Sequence, residues 1–226
     1  GIGIPEARGR LHSVEEGTRI QPSATWFAGI GQGIGATPIQ MANVAATIAR
    51  DGLWKRPRLV VEGFEYPDAS DADTVKLPAD PRAFVEAKRG MRAVIASPGG
   101  TGGRALRRSD LAVAGKTGTA QAARFSVVVK DENGSPVMEN GKIKRRYLEP
   151  STSRWTNPEA PWYRATGSGE DELSHGWFIG FAPADRPKVA FAVMVEYGGS
   201  GATSAGPIAS ALLDAAIEEG YVAAAR

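Results

Sequence analysis

The sequence predicts an α/β fold of the α+β type, an antiparallel sheet with helices on both faces. Three observations carry this. "WFIGFAP" (177–183) and "KVAFAVMVEY" (188–197), joined by Ala-Asp-Arg-Pro, read as a β-hairpin. In the second strand both alternating sets are apolar: Val189, Phe191, Val193, Val195 and Ala190, Ala192, Met194. A strand apolar on both faces is expected between two layers. Capped segments of helical periodicity lie before and after the hairpin.

Each element follows in order. Residues 1–28 are rich in Gly, Pro and charge and read as loop with short elements. Thr37 is a good N-cap, Pro38 suits the first helical position and Gln40 completes a capping box. Ile39, Met41, Ala42, Ala45, Ala46 and Ile48 make that helix apolar and predict burial on most sides; Gly52 is placed to end it. Residues 54–66 read as a short strand followed by loop. Asp80 and Pro81 open a helix over 80–97, with Phe84, Met91, Val94 and Ile95 near one face. "PGGTGG" (98–103) reads as a flexible turn, and "LAVA" (111–114) as a strand leading into Gly-Lys-Thr-Gly-Thr. Residues 124–174 form a polar insertion, with a hairpin around Asn133-Gly134 and room for a second turn at Asn140-Gly141. The last helix, about 206–219, places Ile208, Leu212 and Ala215 on one face and stops at Gly220.

Composition narrows the function. The 226 residues suffice for one sizeable domain with a hydrophobic core. A net charge of +2, with acidic and basic residues interspersed, gives no reason to expect a nucleic-acid partner. The absence of cysteine excludes disulfides, thiolate–metal sites and thiol nucleophiles. With only His12 and His175, a histidine-rich metal site is not expected, and neither is any cofactor. No stretch approaches the ~20 apolar residues that span a bilayer. The sequence opens on Gly1 rather than methionine, so a processed product or a fragment is expected.

Two glycine motifs are decoys. "AVAGKTGTAQ" (112–121) ends like a phosphate loop, but the required first glycine falls on Asp110, and "LAVA" belongs to a strand that cannot wrap an anion. "GQGIGA" (31–36) fits Gly-x-Gly-x-x-Ala, yet "QPSATWFAGI" before it makes a poor strand. Its glycines read as close packing ahead of a capped helix.

A third reading of 112–121 is the Lys-Thr-Gly element of penicillin-reactive serine acyltransferases. A strand lysine beside a cleft supplies a fixed positive charge that helps manage the nucleophile's proton. Gly118 removes a side chain where a substrate backbone must come close, and Thr117 and Thr119 offer hydroxyls to a carboxylate. Gln121 continues the strand and either contacts substrate peptide or is simply exposed. His175 either lines the cleft rim or has a structural hydrogen-bonding role. Trp155, Trp162 and Tyr163 either form an exposed contact patch or anchor a long loop.

Four blocks in order decide among these readings. "AGKTGTAQ" (114–121) resembles the third motif of class B penicillin-binding proteins. "GIGQGIGATPIQMANVAATIARDG" (29–52) resembles the segment between their second and third motifs. "HGWFIGFAPADRPKVAFAVMVEYGG" (175–199) resembles the two strands that follow, and "AGPIASALLDAAIEEGY" (205–221) the closing helix. "GIGQG" followed by "TPIQMA" leans to the elongation type.

The resemblance implies a penicillin-binding transpeptidase/β-lactamase-like fold and a peptidoglycan D,D-transpeptidase. In that family a serine attacks the D-Ala-D-Ala end of a stem peptide and passes the acyl group to an amine of a neighbouring one. β-Lactams inhibit it by acylating the same serine. By resemblance Lys116 is the third-motif lysine, Thr117 and Thr119 hold the carboxylate, and the N–H of Thr119 is an oxyanion donor. Expected with it are a membrane glycosyltransferase partner and a place on the periplasmic side of the inner membrane, the anchor lying outside this chain. The alternatives are a β-lactamase or β-lactam sensor, and a non-catalytic scaffold protein of the same fold.

The required Ser-x-x-Lys is absent, and so is Ser-x-Asn; Ser126 has Lys130 at four. Residues 1–226 therefore read as the C-terminal part of a transpeptidase domain, lacking its N-terminal half. Incubation of this chain alone with a fluorescent penicillin is expected to leave no covalent label on a denaturing gel.

Overall fold

The computed structural model describes residues 6–10, 31, 33–59, 73–108, 110–166 and 173–224. Most of the loop expected over 1–28, His12 included, lies outside them. In chain order the elements are α1 (Pro38–Ala49), β1 (Leu53–Lys55), β2 (Thr74–Lys76), α2 (Pro81–Ala96), α3 (Gly103–Leu106), β3 (Ala114–Gln121), β4 (Ser126–Val128), β5 (Met138–Glu139), β6 (Lys142–Ile143), β7 (Arg145–Tyr147), β8 (Ser174–Ala182), β9 (Val189–Val195) and α4 (Ala205–Glu218).

The central sheet runs β3-β8-β9, antiparallel throughout. On one face Phe178, Ala182, Phe191 and Val193 pack with Ala205, Ala209 and Leu213 of α4. On the other, Ala114 and Phe181 pack with Met91 and Ala184, and with Ile48 and Ala49 of α1. Helix α2 serves both faces, giving Met91 to one cluster and Ile95 to the other. The expected architecture is the observed one. Burial of a side chain such as Phe178 contributes roughly 2–3 kcal/mol.

Helix α1 starts as expected. Gln40 N donates to Thr37 Oγ1 at 3.3 Å and Thr37 N donates to Gln40 Oε1 at 2.9 Å. Gly52 ends the turn at φ +84°, where a Cβ would lie 2.5 Å from the Phe84 ring. The helix is not buried on most sides: only Ala45 and Thr47 are buried. It lies on the sheet by one stripe, while Val44 and neighbouring side chains line grooves along its flanks.

Helix α4 differs from expectation in its face. Ala205, Gly206, Ala209 and Leu213 are buried, whereas Ile208 and Leu212 are 46% and 48% exposed. Small residues let the helix axis approach the sheet, and close approach fixes the inward stripe more firmly than side-chain size does. Gly206 illustrates this: a Cβ there would meet Ala105 Cβ at 2.6 Å.

Three further departures lie near β3. Leu111 and Val113 are buried in the core without joining the ladder, which starts at Ala114. Ala112 O there accepts from Ala184 N at 2.8 Å. Residues 98–103 are a packed turn rather than a flexible one: a Cβ on Gly100 would lie 2.3 Å from Val94 O, and one on Gly102 2.7 Å from Ile95 Cδ1. Strand β1 pairs with β2, a partner outside the expected elements.

Both expected turns of the insertion are present. Asp131 Oδ1 accepts from Asn133 N and Ser135 N, each at 2.9 Å, and closes the turn at Asn133-Gly134. Asn140 and Gly141, at φ 51° and 75°, join β5 to β6. Strand β4 pairs with β7. The insertion shares a core of its own, made of Leu148, Ala160, Tyr163, Leu173 and Tyr197.

Gly180 tests how tightly the sheet is packed. A Cβ on it would lie 2.5 Å from Ala114 O and 2.6 Å from the Phe191 ring. Gly180→Ala is expected to lower stability by about 1–3 kcal/mol, read as an earlier thermal melt.

Candidate active-site edge

Strand β3 carries Lys116, Thr117, Gly118, Thr119 and Gln121. It pairs with β8 on one side, and no described strand pairs with the other. The register runs from Ala114↔Phe181 to Gln121↔Ser174. Beyond it Ala122 N donates to Leu173 O at 2.9 Å. Alternation along an antiparallel pair then turns the even-numbered residues of β3 towards β8. The N–H and C=O groups of Thr117, Thr119 and Gln121 point to the open edge.

Side chains alternate too. Lys116 and Gly118 share a face with Ile179 and Trp177, whereas Thr117 and Thr119 share the other with Phe178 and Gly176. The lysine and the threonines meet at the edge. There Lys116 Nζ donates to Thr117 O at 2.6 Å. Lys116, Thr119 and Gln121 are exposed and Thr117 is half-buried. The edge therefore presents an ammonium, two hydroxyls and outward N–H donors together, a set suited to an anionic ligand in an extended conformation.

Two glycine-rich turns frame the threonine face. Residues 98–103 bring Thr101 Oγ1 to 2.8 Å from Thr117 Oγ1. Residues 198–204 cover Gly176 and Trp177: a Cβ on Gly201 would lie 2.0 Å from Trp177 O and 2.5 Å from Gly118 O. Gly118 has its own constraint, since a Cβ there would lie 3.1 Å from Trp177 Cβ. The glycine thus serves packing on β8 as well as an open approach from outside.

Sequence reasoning missed Thr101 and Tyr197. Thr101 stands alone among glycines, which was the available signal. Tyr197 adopts φ 50°. Its N–H donates to His175 Nδ1 at 3.0 Å, and its Oη donates to Ala123 O at 3.0 Å. Its ring meets His175 at 4.9 Å and Tyr163 at 4.7 Å, both edge to face. His175 therefore has the structural hydrogen-bonding role; in the neutral imidazole its proton sits on Nε2. Burial pushes the Tyr197 phenol up from its ordinary value, with smaller contributions from Tyr163 and Glu196. Tyr163 is fully buried and anchors the insertion, while Trp162 stays 47% exposed against Phe125, ring centroids 4.9 Å apart.

No group of three or more metal-ligating side chains that could hold an ion occurs among the described residues.

Comparison with known proteins identifies a family for the chain. The model of the penicillin binding protein transpeptidase domain matches residues 10–134 and 160–214. The chain belongs to this family. The unmatched stretch 135–159 lies inside the 124–174 segment. Peptidoglycan D,D-transpeptidase MrdA of Haemophilus influenzae is 32% identical over 84% of this chain and 25% of its own length. Peptidoglycan D,D-transpeptidase PbpA of Mycolicibacterium smegmatis is 33% identical over 90% of this chain and 34% of its own length. The chain thus spans a quarter to a third of these relatives. The crystal structure of Pseudomonas aeruginosa PBP2 superposes with a TM-score of 0.62 at 30% identity, covering 93% of this chain and 38% of that one. The transpeptidase domain of Burkholderia pseudomallei penicillin-binding protein 3 shares the fold, with a TM-score of 0.61 at 23% identity over 99% of this chain and 54% of that one.

His175→Phe keeps an aromatic ring but removes the acceptor for Tyr197 N–H. The expected result in urea denaturation is a loss of about 1–3 kcal/mol, the cost of an orphaned buried donor.

Proposed function

We propose that this chain forms the third-motif side of a class B peptidoglycan D,D-transpeptidase of the elongation type. Its Ser-x-x-Lys and Ser-x-Asn come from residues outside the sequence described. The observation that carries the reading is the open edge of β3, where Thr119 N–H and Thr117 C=O face outward beside the Lys116 ammonium.

The chemistry follows from that edge. A stem peptide ending in D-Ala-D-Ala lies extended along β3. The serine oxygen bonds to the carbonyl carbon of the penultimate D-alanine, and the terminal D-alanine leaves as the amine. Negative charge builds on the carbonyl oxygen, where the Thr119 N–H is a preorganised donor. The terminal carboxylate is held by the hydroxyls of Thr117 and Thr119, and the Lys116 charge stabilises the anionic end. An amine of a second stem peptide then attacks the acyl-enzyme, and the serine leaves. β-Lactams present a carboxylate and a carbonyl in the same relation and acylate the same serine.

The reading also places the protein at the periplasmic face of the inner membrane, beside a membrane glycosyltransferase that supplies glycan strands. No helix among the described residues is long and apolar enough to cross a membrane.

The test is acylation of the complete protein by a fluorescent penicillin. Labelling of the parent supports the reading, and its absence overturns it. Lys116→Ala is expected to slow acylation by about 10²–10⁴-fold with no change in melting temperature.

A further inference from the structure

The carboxylate-holding role of Thr117 leaves open how its hydroxyl is aimed. A threonine hydroxyl rotates freely and offers one proton and two lone pairs. We propose that Thr101 is a positioning residue: its hydroxyl orients that of Thr117 so that the Thr117 proton points at the ligand's carboxylate. This rests on the transpeptidase reading of the β3 edge.

The geometry begins with the pair. Thr101 Oγ1 and Thr117 Oγ1 are 2.8 Å apart, the usual separation of hydrogen-bonded hydroxyls. Either oxygen can donate in the free protein. A carboxylate accepts only, so a bound one takes the Thr117 proton. Thr101 must then donate to Thr117, and protons run one way along the chain from Thr101 through Thr117 to the carboxylate. Such a chain strengthens each of its bonds by polarisation. Lys116 occupies the Thr117 carbonyl rather than its hydroxyl, so the two contacts do not compete.

The turn that carries Thr101 is built to hold it still. Among residues 99–103 it is the one with a side chain; the rest are glycine. Gly100, Gly102 and Gly103 have no room for a Cβ, which would lie 2.3 Å from Val94 O, 2.7 Å from Ile95 Cδ1 and 2.8 Å from Ile95 O respectively. Gly102 N donates to Val94 O at 3.0 Å, and Gly100 N to Ser97 O at 2.9 Å. Arg107 closes the turn, its Nε donating to Ile95 O at 3.2 Å and its Nη2 to Ser97 O at 2.7 Å. Ile95 and Phe178 pack beneath in the main core. The glycines bring the backbone down onto that core, and the single hydroxyl is left facing β3. Thr101 itself is exposed, so its side chain adds little to the core.

The experiment compares the complete parent protein with Thr101→Val and Thr101→Ser. Acylation rates are measured with benzylpenicillin and with its methyl ester, which lacks the anionic carboxylate. Thr101→Val keeps the shape and loses the hydroxyl. It is expected to slow acylation by the acid about two- to ten-fold, the worth of one oriented hydrogen bond, while the ester rate stays at the parent value. Thr101→Ser restores the hydroxyl and the acid rate. Equal acid rates for parent and Thr101→Val overturn the proposal, as does an equal loss for acid and ester. Should Thr101→Val not fold, Thr101→Ala carries the same expectations. A parent that takes up neither compound overturns the transpeptidase reading and this inference with it, whereas a labelled parent with an indifferent variant overturns the inference alone.

Discussion

The site depends on β3 being paired, among the described residues, on one side only. Register with β8 decides which N–H groups face inward and which face out, and a slip of one residue would exchange them. It would also carry Lys116 to the face now held by the threonines. What pins the register is the core: Phe181 sits opposite Ala114 and Phe178 opposite Thr117, each committed to a different packed layer. The hydrophobic effect thus sets the polar geometry of the edge.

Glycine does much of the remaining work, by absence of volume rather than by freedom of backbone. Gly115 and Gly180 face each other across β3 and β8, and the Phe178 and Phe191 rings fill the space their side chains would take. Gly176 and Gly201 let the turn before α4 press on β8. The same logic turns the glycine run before α3 into a rigid support. Close packing of this kind limits motion, which suits the preorganised donors that the proposed reaction requires.

Much of this was legible in the sequence because periodicity and capping are local. The Thr37–Gln40 box, the Asp80-Pro81 start and the β8–β9 hairpin are set by residues a few positions apart. The Lys-Thr-Gly pattern was legible, and so was a strand beneath it, although of "LAVA" only Ala114 joins the ladder. Less legible was anything decided by contacts distant in sequence. The buried stripe of α4 is chosen by small residues against the sheet, so Ile208 and Leu212 misled. The turn at 98–103 looked loose because glycine composition alone does not reveal what packs on it. Thr101 and Tyr197 acquire their roles from partners 16 and 22 residues or more away.

The shared core of the insertion has a practical consequence. Tyr197 is tied to His175 at the start of β8, to Ala123 two residues past the end of β3 and to Tyr163, so the base of the insertion is fixed close to the motif strand. The β5–β6 hairpin has no such ties among the described residues, and both of its strands are exposed. Lengthening a surface turn costs little chain entropy. Asn140-Gly141 is therefore a natural graft point, where a dye-accepting peptide would report on the protein in living cells without disturbing the edge of β3.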